Sequence, residues 1–215
     1  IATGPVQLTK KDFVTDQDVR WCPGCGDYAI LSQIQKLLPT LGVAKENFAF
    51  VSGIGCSGRF PGFVTSYGYH SLHGRALPSA MGVKMANPEL EVIAVGGDGD
   101  GFAIGGGHFP HAARRNLDIT YVVMNNEIYG LTKGQVSPTS QRDQKSPSSP
   151  FGNTESPLNT MATAIAADAS FVARGASFRA KELTELIIAG ITNKGFSFID
   201  AYSPCTSFNN TTQIW

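Results

Sequence analysis

Val92-Ile93-Ala94-Val95-Gly96-Gly97-Asp98-Gly99-Asp100-Gly101 and Ile119-Thr120-Tyr121-Val122-Val123-Met124-Asn125-Asn126-Glu127-Ile128 are the two stretches that decide the fold. Each is a short apolar run that opens abruptly into glycine, aspartate or asparagine. Apolar character that is continuous along a strand, not alternating, marks burial on both faces, as in a parallel sheet. The segment between them, roughly 104–115, predicts a helix. Strand, helix, strand in that order brings the two polar tips to the same edge of the sheet if the strands are neighbours.

The same alternation runs outward in both directions. Apolar residues at helical spacing (Ile30, Leu31, Ile34, Leu37, Leu38) predict a helix from Asp27, ended by Pro39 and Gly42. Residues 48–52 predict a strand running into Gly53-Ile54-Gly55-Cys56-Ser57-Gly58. A helix is expected over 77–85, with Pro78 near its first turn. Further on, helices are expected over 158–169 and 181–194, and strands over 171–173 and 196–202. The arm 1–20 is polar and aperiodic. The stretch 133–157 is rich in Ser, Pro, Thr, Gln and Asn, as befits a lid, a binding loop or a linker. The fold class expected is therefore α/β: one domain spanning 1–215, a mostly parallel sheet with helices on both faces, and ligands at the carboxyl ends of the strands.

The chain has 215 residues, enough for a sizeable core. Its 17 basic and 17 acidic side chains cancel, which argues against a nucleic-acid partner or a membrane-surface patch. Charged residues make up 16%, against about 25% in ordinary soluble domains. That deficit points to a surface partly covered by partner subunits. No apolar run reaches the length of a membrane span. No signal peptide is evident behind Ile1, so the expected compartment is the cytoplasm.

Two residue sets carry chemistry. Asp98 and Asn126 stand at the two strand tips, where a carboxylate and an amide oxygen could share one magnesium ion. A diphosphate would complete the octahedron and approach the backbone N–H groups of the glycines. The bland alternative is a pair of turns that merely end strands. The second set is Cys22, Cys25, Cys56 and Cys205. Cys22-Pro23-Gly24-Cys25 lets two thiolates face one metal centre. By themselves the four cysteines fit an iron–sulfur cluster, a zinc site or unrelated core thiols.

Gly97-Asp98-Gly99 followed by Asn125-Asn126 resembles the thiamine-diphosphate-binding motif. Tyr129-Gly130-Leu131-Thr132-Lys133-Gly134-Gln135 with Ser137-Pro138-Thr139, His73-Gly74-Arg75 and Gly53-Ile54-Gly55-Cys56 are similar to the β subunit of 2-oxoacid:ferredoxin oxidoreductases. The likeness runs over nearly all of Cys22 to Cys205. It implies that Asp98, Asn126 and the main-chain carbonyl of Ile128 bind Mg2+. It implies that Ile54, Gly55, Cys56, Ser57, His73, Gly97, Gly99, Asp100, Gly130, Leu131 and Thr132 line the thiamine diphosphate site. It assigns all four cysteines to one [4Fe-4S] cluster. Gly101-Phe102-Ala103-Ile104-Gly105-Gly106 and Arg114-Arg115-Asn116 look more like 2-oxoglutarate members than pyruvate members.

The implied activity is reversible, coenzyme A-dependent oxidative decarboxylation of a 2-oxoacid, giving acyl-CoA, CO2 and reduced ferredoxin. The glutamate that activates the cofactor comes from the α subunit in this family, so an αβ or (αβ)2 assembly is expected. His73 and Arg59 are the candidate catalytic residues, His73 near the diphosphate and Arg59 on the distal carboxylate of the substrate. His70, His108 and His111 are taken as structural. Two rivals share some of these residues: a non-redox thiamine diphosphate decarboxylase or synthase subunit, and a zinc-stabilised α/β interaction module.

Overall fold

The computed structural model describes residues 8–211. Six strands form one sheet: β1 (Phe48–Ser52), β2 (Tyr67–His70), β3 (Glu91–Gly97), β4 (Ile119–Asn125), β5 (Phe171–Ala176) and β6 (Phe196–Tyr202). Their order is β2-β1-β3-β4-β6-β5, and all five pairings are parallel. The principal helices are α1 (Gly26–Leu37), α2 (Ala76–Ala86), α3 (Phe109–Arg115), α4 (Thr160–Ala166) and α5 (Ala180–Thr192).

The two-residue period of the strands divides the core. Phe48, Phe50, Ile93, Val95, Val122 and Met124 face one side, where Ile30, Ile34 and Leu37 of α1 and Leu183 and Ile187 of α5 cover them. Ala49, Val51, Ala94, Tyr121, Val123, Phe196 and Phe198 face the other, against Leu77 and Ala80 of α2, Phe109 and Ala112 of α3 and Ala164 of α4. Both faces are dry, which is why these strands are uniformly apolar in sequence.

The structure corrects four expectations. Strand β2 was not foreseen: Tyr67-Gly68-Tyr69-His70 is exposed throughout and occupies a sheet edge, so it carries no apolar signature. The helix expected from 104 starts only at Phe109, because Asp100–Ile104 forms one wide helical turn ahead of Gly105, Gly106 and Gly107. The helix expected over 158–169 is shorter, with Asn159 capping it by accepting from the Ala162 N–H at 3.0 Å. The arm, of which residues 1–7 lie outside the described part, is not merely polar: Phe13 is fully buried, edge-on to Phe48 at 5.8 Å between centroids.

Among the described residues no helix is long and apolar enough to cross a membrane. The stretch 133–157 contains no helix or strand, yet it is fastened. Ser137, Thr139, Ser140 and Asn153 are buried. The Ser140 hydroxyl donates to the Glu127 carbonyl at 2.6 Å, and the Asn153 amide donates to the Ser140 carbonyl at 3.1 Å. Buried polar side chains with partners are stable; the loop is a packed wall of the domain.

Candidate active site

Chain order turns around β1: β2 lies on one side of it and β3 on the other. A crevice at the carboxyl ends of such strands is the usual ligand position in an open parallel sheet. Here that crevice holds a cavity with about 580 Å³ of atom-free space. The loops after β1, β3 and β4 line it. Every residue assigned above to the thiamine diphosphate or Mg2+ lies on its wall, and so does Cys56. Asp27, Met124 and Tyr129 complete the wall.

The two polar tips do meet. Gly97 and Met124 are register partners on β3 and β4, and the Asn126 N–H donates to Asp98 Oδ1 at 3.3 Å. Thr139, on the polar wall, donates its hydroxyl to Asp98 Oδ2 at 2.7 Å. Asp98 is 1% exposed. Burial raises its proton affinity, and the hydrogen bonds from Ser137, Thr139 and Asn126 only partly oppose that. Among the described residues no lysine or arginine pairs with it. A buried carboxylate without a cation, beside an amide oxygen and a glycine-rich cavity wall, is a donor set that a hard divalent ion would complete. The Ser57 hydroxyl is also buried here without a hydrogen-bond partner. These residues fit a magnesium diphosphate.

The cysteines approach the same cavity from its other side. All four are free thiols. A Cβ placed on Gly130 would stand 3.3 Å from Cys205 Sγ and 3.9 Å from Cys56 Sγ, so that glycine lies between two of them. Burial raises the Cys56 thiol to about 12; nearby Asp27, Cys205 and Cys22 add to the rise, and Arg59 opposes it. Burial likewise pushes Cys25 up, with Asp27, Cys56 and Cys205 contributing.

Local packing holds them there. The Trp21 indole N–H donates to the Cys56 carbonyl at 2.8 Å, Thr206 Oγ1 donates to the Pro23 carbonyl at 2.8 Å, and the Gly26 N–H donates to the Pro204 carbonyl at 3.2 Å. Among the described residues no three His, Cys, Asp or Glu side chains form a group that could hold a single metal ion.

Arg59, like Cys22, Cys25 and Cys205, is not part of the cavity wall. Its guanidinium donates to the Arg20 carbonyl at 2.7 Å, and it lines an adjoining hollow with Cys22, Cys56, Leu131 and Lys133. Reading the sequence missed Asp27, Tyr129 and Thr139. Asp27 is 3% exposed, hydrogen-bonded by the Ser203 hydroxyl, and burial raises its carboxyl to about 6. Its position directly after Cys25-Gly26 was the available signal.

A parallel sheet with Asp98 and Asn126 on a glycine-rich cavity at its switch point has the layout of a thiamine-diphosphate-binding domain. Residues 53–201 match the family described as thiamine pyrophosphate enzyme, C-terminal TPP binding domain. The chain is 48% identical over 200 residues to 2-oxoglutarate oxidoreductase subunit KorB of Mycobacterium tuberculosis, covering 93% of this chain and 54% of that one. It is 50% identical to the 2-oxoacid:ferredoxin oxidoreductase subunit beta of Saccharolobus solfataricus, covering 88% and 63%. Against 2-oxoglutarate synthase subunit KorB of Methanocaldococcus jannaschii the identity is 42%, covering 87% and 70%. A solved 2-oxoglutarate:ferredoxin oxidoreductase from Magnetococcus marinus, with 2-oxoglutarate, coenzyme A and succinyl-CoA bound, superposes with a TM-score of 0.94 at 43% identity, over 97% of this chain and 72% of that one. This chain belongs to the 2-oxoacid:ferredoxin oxidoreductase β-subunit family. It spans about half to two thirds of the length of the first two of these curated relatives, 54% and 63%.

Proposed function

We propose that this chain is the thiamine diphosphate- and cluster-carrying subunit of a cytoplasmic 2-oxoglutarate:ferredoxin oxidoreductase. It would work with an α subunit, coenzyme A and ferredoxin to convert the 2-oxoacid to acyl-CoA and CO2. The observation that carries the reading is one cavity whose wall includes both the Asp98/Asn126 pair and Cys56, with Cys205 behind Gly130.

Thiamine diphosphate would supply the nucleophilic carbon and electron sink, and a [4Fe-4S] cluster would pass the electrons on singly. The residues of this chain have definable duties. Asp98, Asn126 and the Ile128 carbonyl would hold Mg2+, with Thr139 keeping the Asp98 carboxylate aimed. The glycines of 97–99 and Gly55 would let backbone approach phosphate oxygens. Cys22, Cys25, Cys56 and Cys205 would hold the cluster. Arg59, in the hollow next to the cavity, receives the distal carboxylate of the substrate.

One free thiol on the cavity wall, Cys56, and a second beside Gly130, Cys205, favour the redox reading over a non-redox decarboxylase. The test is anaerobic purification of the chain co-expressed with its α subunit. Iron, acid-labile sulfide, thiamine and magnesium are quantified, the visible spectrum is followed on dithionite addition, and ferredoxin reduction with 2-oxoglutarate and coenzyme A is assayed. A preparation that contains thiamine diphosphate but neither iron nor sulfide would refute the redox assignment.

A further inference from the structure

We propose that Asp100 is a positioning residue: it does not touch the cofactor but fixes the ring of His73, and through that ring governs thiamine diphosphate affinity. The inference rests on the cavity being a thiamine diphosphate site. Asp100 belongs to the glycine-rich tip and lines the cavity, so direct contact with the diphosphate would be the simple expectation. Its geometry points elsewhere. A single oxygen, Oδ1, accepts from His73 Nδ1 at 2.7 Å, from the Gly74 N–H at 2.7 Å and from the Ile54 N–H at 2.9 Å.

The other oxygen, Oδ2, is buried and has no hydrogen-bond partner. It is packed so tightly against Gly53 that a Cβ there would come within 1.9 Å of it. Oδ1 is thus filled by three donors of the wall, and Oδ2 is packed against Gly53. A fourth donor at Oδ1, from the cofactor side, would have to displace one of these three.

The ring that Asp100 holds is different in kind. The His73 side chain is 42% exposed where the Asp100 side chain is 2%, and it too lines the cavity. A second surface steadies it: Tyr129 meets it edge-on, 6.2 Å between centroids and 81° between planes. Tyr129 is tied back through its hydroxyl to the Gly99 carbonyl at 3.1 Å. With Nδ1 engaged by Asp100, Nε2 is the nitrogen left for a ligand. A histidine whose one nitrogen is held by a buried carboxylate presents the other in a fixed direction, the arrangement that orients ligating imidazoles generally. The same carboxylate joins the turn after β1 to the turn before α2, so the loop carrying Ser57 and the ring of His73 are referred to one point.

The experiment titrates thiamine diphosphate with Mg2+ by calorimetry into the chain assembled with its α subunit. The proteins are wild type, Asp100→Ala, His73→Ala and the double variant. Each single variant should weaken binding about tenfold, the scale of one charge-assisted hydrogen bond. The double variant should be within about twofold of the weaker single one, because both remove the same contact. If the two losses multiply, Asp100 does not act through His73 and the inference fails. Asp100→Asn retains an oxygen for the three donors and should stay within about threefold of wild type; a loss as large as that of alanine overturns the geometric role.

Should Asp100→Ala prevent assembly, Asp100→Glu takes its place in both backgrounds. It should weaken binding beside His73 and change nothing beside His73→Ala, whereas equal losses in both overturn the inference. A wild-type complex without affinity for thiamine diphosphate would instead remove the site reading itself, and the role with it.

Discussion

Thr139→Val should weaken Mg2+-dependent thiamine diphosphate binding by about 10- to 100-fold, the range for residues that orient a metal ligand from behind. Thr139 lies on the polar wall and is 3% exposed. Its hydroxyl is 2.7 Å from Asp98 Oδ2 and 3.2 Å from Asn125 Oδ1. Valine has nearly the same shape, so the wall keeps its packing and the change isolates one O–H donor. Without that donor the buried carboxylate loses its shortest oriented partner and keeps Ser137 and the Asn126 N–H, the latter at 3.3 Å.

A charge-assisted hydrogen bond in such surroundings contributes about 1.5 to 3 kcal/mol, which is about 10- to 150-fold in binding. That agrees with the expected range. The assay is Mg2+ titration at saturating thiamine diphosphate, followed by calorimetry or quenching of intrinsic fluorescence. Thr139→Ser, which restores the hydroxyl, should recover most of the loss. Binding by Thr139→Val within twofold of wild type would refute the claim that the loop orients Asp98.

The remaining predictions concern other links of the structure. Asp98→Asn removes the only carboxylate proposed for Mg2+ and should abolish metal-dependent cofactor binding in the same titration while leaving the circular dichroism spectrum unchanged; retained binding would remove Asp98 from the donor set. Cys56→Ser should lower bound iron and sulfide to a small fraction of wild type, measured colorimetrically, and full iron content would dissociate Cys56 from the cluster. Arg59→Met should raise the KM for 2-oxoglutarate about tenfold or more, given a lost charge-assisted pair, with kcat less affected; an unchanged KM rules out the carboxylate role. Phe109→Ala should destabilise the domain by about 3 to 5 kcal/mol, because Phe109 is fully buried among the rings of Phe102, Tyr121, Phe196 and Phe198. Urea unfolding measures this, and a loss under 1 kcal/mol would contradict that packing.

What the sequence discloses depends on how local the governing physics is. β1 is legible to the residue because burial on both faces writes itself as a continuous apolar run, and β6 because its apolar majority outweighs the buried Ser197 and Asp200. Asp98 and Asn126 are legible because glycine beside a carboxylate at a strand end is a local pattern. Strand β2 is not, since an exposed edge imposes no apolar requirement on Tyr67 or Tyr69. Thr139 is not, because what makes it matter is a hydrogen bond to a residue 41 positions away. Its neighbours Ser137 and Ser140 look like solvated loop residues until tertiary packing buries them. Asp27 escaped for the same reason: a buried carboxylate beside a thiol pair looks, in sequence, like an ordinary first-turn helix residue.

The sulfur side of the cavity makes the complementary argument. Cys22 and Cys25 precede α1, Cys56 follows β1 and Cys205 follows β6, so no local pattern could have joined them. The chain joins them through polar contacts that need no metal: Trp21 to the Cys56 carbonyl, Gly26 to the Pro204 carbonyl, Thr206 to the Pro23 carbonyl, and Ser203 to Asp27. Each contact ties a segment bearing one cysteine to a segment bearing another. Contacts of this kind order the four thiol-bearing segments relative to one another, which lowers the entropic cost of any ligand set they would form. Burial and the nearby Asp27 carboxylate raise the Cys25 and Cys56 thiols, so a cation held beside them would favour the thiolate form.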